Sequence, residues 1–412
     1  MRVVIVSDFA AVNGGAAKVA IESARGLAEA GVEVVFAACI APVSERLHHA
    51  NISVELFGAD EVWKVPGKLA AARQGIWNQP AHDWLLALLR RQPDGTAVHL
   101  HQWTKAFSPA AIAAAAASAR PVFVTMHDYF SFCPVGGYFD FQQGRPCDRS
   151  PMGAACITSN CDRASYAHKL VRVARQWRSD RALAACADLT FLHVSDFARS
   201  FAEPFLPRHA RHRTVENMME AERRPPADVA ANRHALFLGR FTQEKAADVL
   251  AVAAAAARMP VRFVGEGPLS DRIARLNPAA EVAGWVPADQ VFDEIARARC
   301  LVLPSLWYEP GPLVIAEARS AGVPVVLART TGPASWIEHG EDGLLVDGGD
   351  AEGLAAALTQ MKDDAAAARM GAAAHARYWS DPLSTERHVA RTMAAYAGTV
   401  SGAPAGARPR AA

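Results

Sequence analysis

The feature that most constrains this chain is a pattern that occurs at its start and begins again past its midpoint. A short apolar run is followed by a loop, a helical stretch and another apolar run. Val3–Val6 leads into Asn13-Gly14-Gly15, a helical stretch over 16–30, Gly31 and a second apolar run over 32–37. Such a unit is βαβ, which requires a parallel sheet and a right-handed crossover. Val98–Leu100 and Val122–Met126, separated by Ala-rich helical segments, extend it. After a charged, Pro-containing stretch over 216–226 the pattern restarts at Ala235–Leu238, with a helix over 245–258 and a strand at Val261–Val264. Further apolar runs lie at 282–283, 300–303, 323–327 and 344–346. With 412 residues, the chain exceeds what one core ordinarily serves. The expected organisation is an α/β domain over 1–215, a linker over 216–232 and a second α/β domain over 233–375. A helix over 376–396 placed to return to the first domain follows, and 397–412 is expected to be a disordered tail.

Lys and Arg total 43 against 42 Asp and Glu, so no basic surplus exists for general nucleic-acid binding. Met1–Asp8 turns polar too soon for a signal peptide, and no apolar run reaches the length of about 18 residues needed to cross a membrane. Seven cysteines, an odd number, fit a reducing compartment. The expected location is the cytoplasm.

In open parallel sheets ligands bind beyond the carboxyl ends of the strands, so the loops after each strand are where chemistry is expected. The glycines of Asn13-Gly14-Gly15 let the backbone approach an anionic group at a helix start. The plain alternative is a tight turn. In Gly239-Arg240-Phe241-Thr242-Gln243-Glu244-Lys245, two cations stand near a helix start, where positive charge is unfavourable unless an anion such as a diphosphate compensates it. Otherwise they are solvated surface cations. Gly265-Glu266-Gly267-Pro268 departs from the dinucleotide fingerprint at Pro268 and Ser270, which disfavours a nicotinamide or flavin. Glu309 falls in a loop and Glu317 on the helix that follows it, where sugar or ribose hydroxyls could donate to their carboxylates. The alternative makes Glu309 a surface residue and Glu317 a backbone cap.

Taken together, Gly14-Gly15, Thr125-Met126-His127-Asp128-Tyr129, Gly239-Arg240 with Lys245, Gly265-x-Gly267-Pro268, Gly284-Trp285-Val286-Pro287 and Glu309 with Glu317 resemble the retaining GT-B glycosyltransferases of family 4 over nearly the whole chain. The resemblance implies the GT-B fold, two Rossmann-like domains whose parallel sheets face a central cleft. It also implies a nucleotide-sugar co-substrate and a glycan, lipid-linked or small-molecule acceptor. By the same resemblance Arg240 and Lys245 hold the donor diphosphate, helped by the backbone N–H groups of Leu313 and Val314. Glu317 holds the ribose, Val286 lies against the base, and Glu309 and His127 stand near the transferring sugar. Gly14, Gly15 and Gly267 complete the donor site. Ala246 stands where the family usually has Gly, and Thr331–Ser335 lacks a frequent Glu, departures that bear on donor identity. No Asp-x-Asp pair stands in a corresponding loop, so catalysis without a metal is expected. A hydrolase or epimerase using the same cleft, and a binding protein without activity, are the competing functions.

Cys133, Cys147, Cys156 and Cys161 fall in a Gly- and Pro-rich insertion over about 130–165. Their irregular spacing leaves two readings, a structural zinc or a packed loop with free thiols. Lys169, Arg172, Arg175, Arg178 and Arg181 follow at a three-residue spacing that drifts around a helix. A solvated basic face is the default reading, and a peripheral contact with anionic lipid headgroups the sharper one.

Overall fold

The computed structural model describes residues 1–398. Two parallel sheets organise it. The first has the order β3-β2-β1-β4-β5-β8-β9, from β1 (Arg2–Phe9), β2 (Glu33–Ile40), β3 (Ile52–Leu56), β4 (Ala97–Leu100), β5 (Val122–Met126), β8 (Leu189–His193) and β9 (Arg211–Thr214). The insertion contributes a small antiparallel pair, β6 (Phe139–Asp140) and β7 (Arg145–Pro146). The second sheet has the order β12-β11-β10-β13-β14-β15. Its strands are β10 (Ala235–Leu238), β11 (Val261–Val264), β12 (Glu281–Gly284), β13 (Cys300–Leu303), β14 (Val325–Ala328) and β15 (Gly343–Val346). Each sheet reverses its winding beside its first strand, between β1 and β4 and between β10 and β13. A crevice open to ligands forms at such a switch point, beyond the strand ends.

Residues run apolar where strands are covered on both faces. Val3, Val4, Ile5 and Val6 are fully buried in β1, and Leu236 and Phe237 in β10. The helix Gly15–Glu29 turns Ala17, Val19, Ala20, Ile21, Ala24 and Leu27 inward. Its other side receives the helix Thr385–Ala397, which crosses back from the second sheet. The contact closes on Gly26, where a Cβ would lie 2.6 Å from Thr385 Cγ2 and 2.8 Å from Val389 Cγ2. Polar pairs secure it: Ser23 Oγ lies 2.9 Å from His388 Nε2, and Tyr396 Oη lies 2.7 Å from His99 Nδ1. Between the sheets, Glu216 is paired with both Arg387 and Arg391.

Several expectations need correction. β3, β8 and β9 were not among the expected strands, and β9, Arg-His-Arg-Thr, is an edge strand without the apolar run that marks a buried one. The helix expected from Lys245 starts at Ala247, because Gln243–Lys245 forms a separate 3-10 turn and Ala246 between them is left-handed, with φ 54°. Of the expected tail, Ala397 ends a helix and 399–412 lie outside the described residues.

The solvated basic face does not form as expected. Lys169 is fully buried, with Nζ 3.0 Å from Cys161 Sγ and 3.6 Å from Cys156 Sγ. Arg172 pairs with Asp162 at 2.8 Å, and Arg175 donates to the Pro134 carbonyl at 3.0 Å while lying over the Phe130 ring. Only Arg178 and Arg181 remain exposed, both against Trp177. Around the four cysteines the structure shows free, buried thiols. The Lys169 ammonium lies against two of the four thiols. Among the described residues no group of three or more His, Cys, Asp or Glu is disposed to hold a metal ion.

Candidate functional site

The site is built from the loops beyond β1, β5, β10 and β13. After β10, Gly239 takes φ 149°, and the loop is clamped by Gly239 N–H donating to the Val264 carbonyl and Phe241 N–H to that of Glu266. The glycines after β11 make this clamp fit. A Cβ on Gly265 would lie 2.0 Å from the Gly239 carbonyl oxygen, and one on Gly267 would lie 2.4 Å from that of Phe241. Gly267, expected against the donor, thus has its missing side chain filled by the backbone that carries Arg240.

The Lys245 ammonium is ion-paired with the Glu309 carboxylate, and both are largely buried. Ser305 Oγ donates to the other oxygen of Glu309 at 2.7 Å, and the Lys245 ammonium also lies 5.5 Å from the centre of the Trp307 ring. Glu309 is held by its backbone as well, its carbonyl accepting from Gly332 N–H at 2.7 Å. Glu309 is 5 % exposed, which sets aside the alternative of a surface residue, and in this structure its carboxylate faces the Lys245 ammonium. The sequence places the pair 64 residues apart. Arg240 behaves differently, its side chain 65 % exposed and no closer than 4.0 Å to Glu244.

After the Glu309 loop, the helix Leu313–Ser320 begins behind Pro312 with no side chain capping its first turn. Leu313 and Val314 are its first two residues, so their N–H groups belong to the unpaired end of the helix. Glu317 is the fifth residue. Burial pushes its carboxyl above the ordinary range, and Lys18 opposes that shift. Lys18 Nζ lies 4.0 Å from Glu317 Oε1, joining the helix after Gly15 to the second sheet's helix. The sequence reading missed Lys18, whose only local signal is its position one turn into a Gly-led helix. Gly14 takes φ 133° as the N-cap, and neither Gly14 nor Gly15 has any atom near where a Cβ would stand. Val286 is partly buried against the second core, while its neighbour Trp285 is 72 % exposed.

His127 follows β5. Its Nε2 lies 3.1 Å from Nδ1 of the buried His101, with the two rings stacked. Burial holds the His127 imidazole down to about 3, with a smaller push from His388, so the ring is neutral at ordinary pH. Asp128 is pushed up to about 6 by burial. Tyr129 Oη donates to the Tyr308 carbonyl at 2.6 Å, tying the loop of the first sheet to the residue before Glu309. Ser195 Oγ makes a similar bond to the Pro310 carbonyl at 2.7 Å. The structure therefore brings Lys245 into contact with Glu309, and Glu317 close to Lys18. His127 is two residues before Tyr129, which bonds to the Glu309 loop, and Arg240 lies at the rim, 4.0 Å from Glu244.

Comparison with known proteins follows this architecture. Residues 13–223 match the model of Glycosyltransferase Family 4, and residues 232–364 match that of Glycosyl transferases group 1. An exopolysaccharide phosphotransferase of Streptomyces coelicolor is 41 % identical over 116 residues, 26 % of this chain and 12 % of that protein. The lipopolysaccharide core biosynthesis glycosyltransferase LpsE of Rhizobium meliloti is 34 % identical over 148 residues, 34 % of this chain and 41 % of LpsE. The chain thus spans less than half the length of these relatives. Among solved structures, Anabaena HepE in complex with UDP superposes with a TM-score of 0.66, covering 97 % of this chain and 100 % of that one at 18 % identity. That likeness supports the fold.

Proposed function

The chain belongs to glycosyltransferase family 4, and on that premise we propose that it moves a sugar from a nucleotide-sugar donor to a glycan or lipid-linked acceptor, with retention of anomeric configuration. The observation that carries the reading is the buried Lys245–Glu309 pair beyond β10 and β13, at the switch point of the second sheet. Its position is where a nucleotide's phosphates would lie. Glycosyl transfer leaves a diphosphate behind and passes through an oxocarbenium-like state, so fixed positive charge at the leaving group is the most useful contribution a protein can make. Lys245 supplies it from a position that Glu309 and Ser305 hold, Arg240 supplies it from the rim, and the N–H groups of Leu313 and Val314 add the end of a helix.

In this reading Glu317 takes the ribose hydroxyls and Val286 the base. His127, being neutral, serves the transferring sugar as a hydrogen-bonding group rather than as a cation. The open backbone at Gly14 and Gly15 admits the donor from the side of the first sheet. UDP is a suitable first probe, since HepE was solved with it. Among the described residues no helix is long and apolar enough to cross a membrane. A lipid-linked acceptor would meet the first domain at Arg178, Arg181 and the exposed Trp177.

The test is a thermal-shift screen of nucleotide sugars, in which a donor at about 100 times its dissociation constant stabilises by about 2.7 kcal/mol. Transfer is then followed by NMR at the anomeric carbon, with and without excess EDTA. Retained configuration in both conditions supports the proposal. An inverted product, or hydrolysis with every acceptor offered, would count against it.

A further inference from the structure

The Cys-bearing insertion belongs to the first domain, yet it reaches the loop of the second that carries Arg240 and Lys245. Its last turn is tightly held. Phe141 N–H donates to the Cys161 carbonyl at 3.2 Å, Gln142 donates to the Asp162 carbonyl at 2.7 Å, and the Asp162 carboxylate accepts from Ala164 N–H and pairs with Arg172. Arg163 projects from this turn across the Phe141 ring, its guanidinium 4.4 Å from the ring centre. Arg163 Nη2 then donates to Glu244 Oε1 at 2.8 Å. Close by, a Cβ on Gly144 would lie 2.4 Å from Gln243 Nε2, so the insertion and the donor loop are in direct contact.

Glu244 is 4 % exposed and stands between Arg240 and Lys245. Its Oε1 faces two guanidinium groups, Arg163 at 2.8 Å and Arg240 at 4.0 Å, and its Oε2 is buried without a hydrogen-bond partner among the described residues. Arg240 lies four residues before Glu244, a spacing at which the two side chains can pair locally. A buried carboxylate without a counterion draws in the nearest cation. Arg163, reaching from the other domain, holds the hydrogen-bonding position on Oε1 at 2.8 Å, and Arg240 stands outside it at 4.0 Å.

We infer that Arg163 is a positioning residue of the donor site: by neutralising Glu244 from the first domain, it leaves Arg240 free to meet the donor diphosphate. This rests on the donor-site reading above. It also gives the insertion a role in that site, because the charge available in the second domain's loop depends on a side chain carried by the first.

The test is calorimetric titration of the full chain with UDP and with GDP, comparing wild type with Arg163→Ala, Glu244→Gln, the double variant, and Arg240→Ala. Arg163→Ala should weaken nucleotide binding about tenfold, as expected for losing a contact with a charged group. The double variant should return to within about threefold of wild type, because with Gln at 244 no carboxylate is left to capture Arg240. A merely structural contact predicts the opposite, a double variant as weak as Arg163→Ala or weaker. That result, or an Arg163→Ala protein that binds normally while Arg240→Ala does not, would overturn the inference. Unchanged binding in Arg240→Ala would overturn the donor-site reading, and the inference with it.

Discussion

The loops after β1 and β10 hold equivalent positions in the two sheets and are built in opposite ways. After β1, Gly14 and Gly15 stand in open space, no side chain caps the helix they begin, and Lys18 reaches outward toward the other domain. After β10 the backbone is clamped by Gly265 and Gly267, and its cations face buried carboxylates, Lys245 against Glu309 and Arg240 near Glu244. The same topology thus yields one bare loop and one charged, pre-paired loop. Parallel sheets fix where a site lies, whereas long-range carboxylate partners decide which half carries charge.

The histidines that burial holds down to about 3 lie in one domain: His99, His127 and His193 all belong to the first. Ion pairs on a buried carboxylate occur in both domains, such as Arg172–Asp162 at 2.8 Å in the first and Arg319–Asp342 at 3.0 Å in the second.

The largest expected effect comes from breaking the charged loop. Lys245→Ala should lower turnover by roughly 10² to 10³, the usual cost of removing one fixed charge donor from a water-poor site. It should also destabilise the fold by about 3 kcal/mol, because Glu309 is left buried and uncompensated. Adding Glu309→Gln should recover the stability and leave turnover low. Steady-state kinetics and denaturant melts on both variants would separate the two roles. Full activity in the double variant would remove Lys245 from the mechanism.

Acid should distinguish the halves next. A histidine whose folded value lies below its unfolded value of about 6.5 favours unfolding once protons are available. The stability it contributes is complete above pH 6.5 and is lost as pH falls toward 3. Hydrogen exchange between pH 7 and pH 5 should show the first domain losing protection before the second. The reverse order would contradict these assignments.

At Gly26, where the returning helix touches the first domain, Gly26→Ala should cost about 1–3 kcal/mol through overpacking against Thr385 and Val389. A melt with unchanged midpoint would show that the contact yields. The smallest effect is expected at Ala246, fully buried in a left-handed conformation that suits glycine. Ala246→Gly relieves a strain of about 1 kcal/mol but enlarges the freedom of the unfolded chain, so stability should change by less than about 1 kcal/mol. A large loss would mean that the methyl group packs more tightly than its backbone strain suggests.

Much of this was legible in the sequence because its signals are local. Val3–Val6 and Ala235–Leu238 mark the two sheets by apolar runs alone, and Lys245, Glu309 and Glu317 stand at motif spacings. What escaped depends on contacts between distant segments. Nothing near Glu244 points to Arg163, 81 residues earlier. Lys18 gained its place only when two helices from different domains met. β9 carried no pattern because an edge strand need not be apolar on both faces.

The central claim is that the second domain's own cations hold the donor diphosphate. Calorimetric titration with UDP and GDP in excess EDTA tests it most directly, comparing wild type with the Lys245→Ala/Glu309→Gln variant, in which no buried carboxylate is stranded. Binding by the wild type in EDTA, weakened at least about tenfold in the variant, is the predicted result. Binding that appears only with a divalent cation, or that is equal in the two proteins, would contradict it.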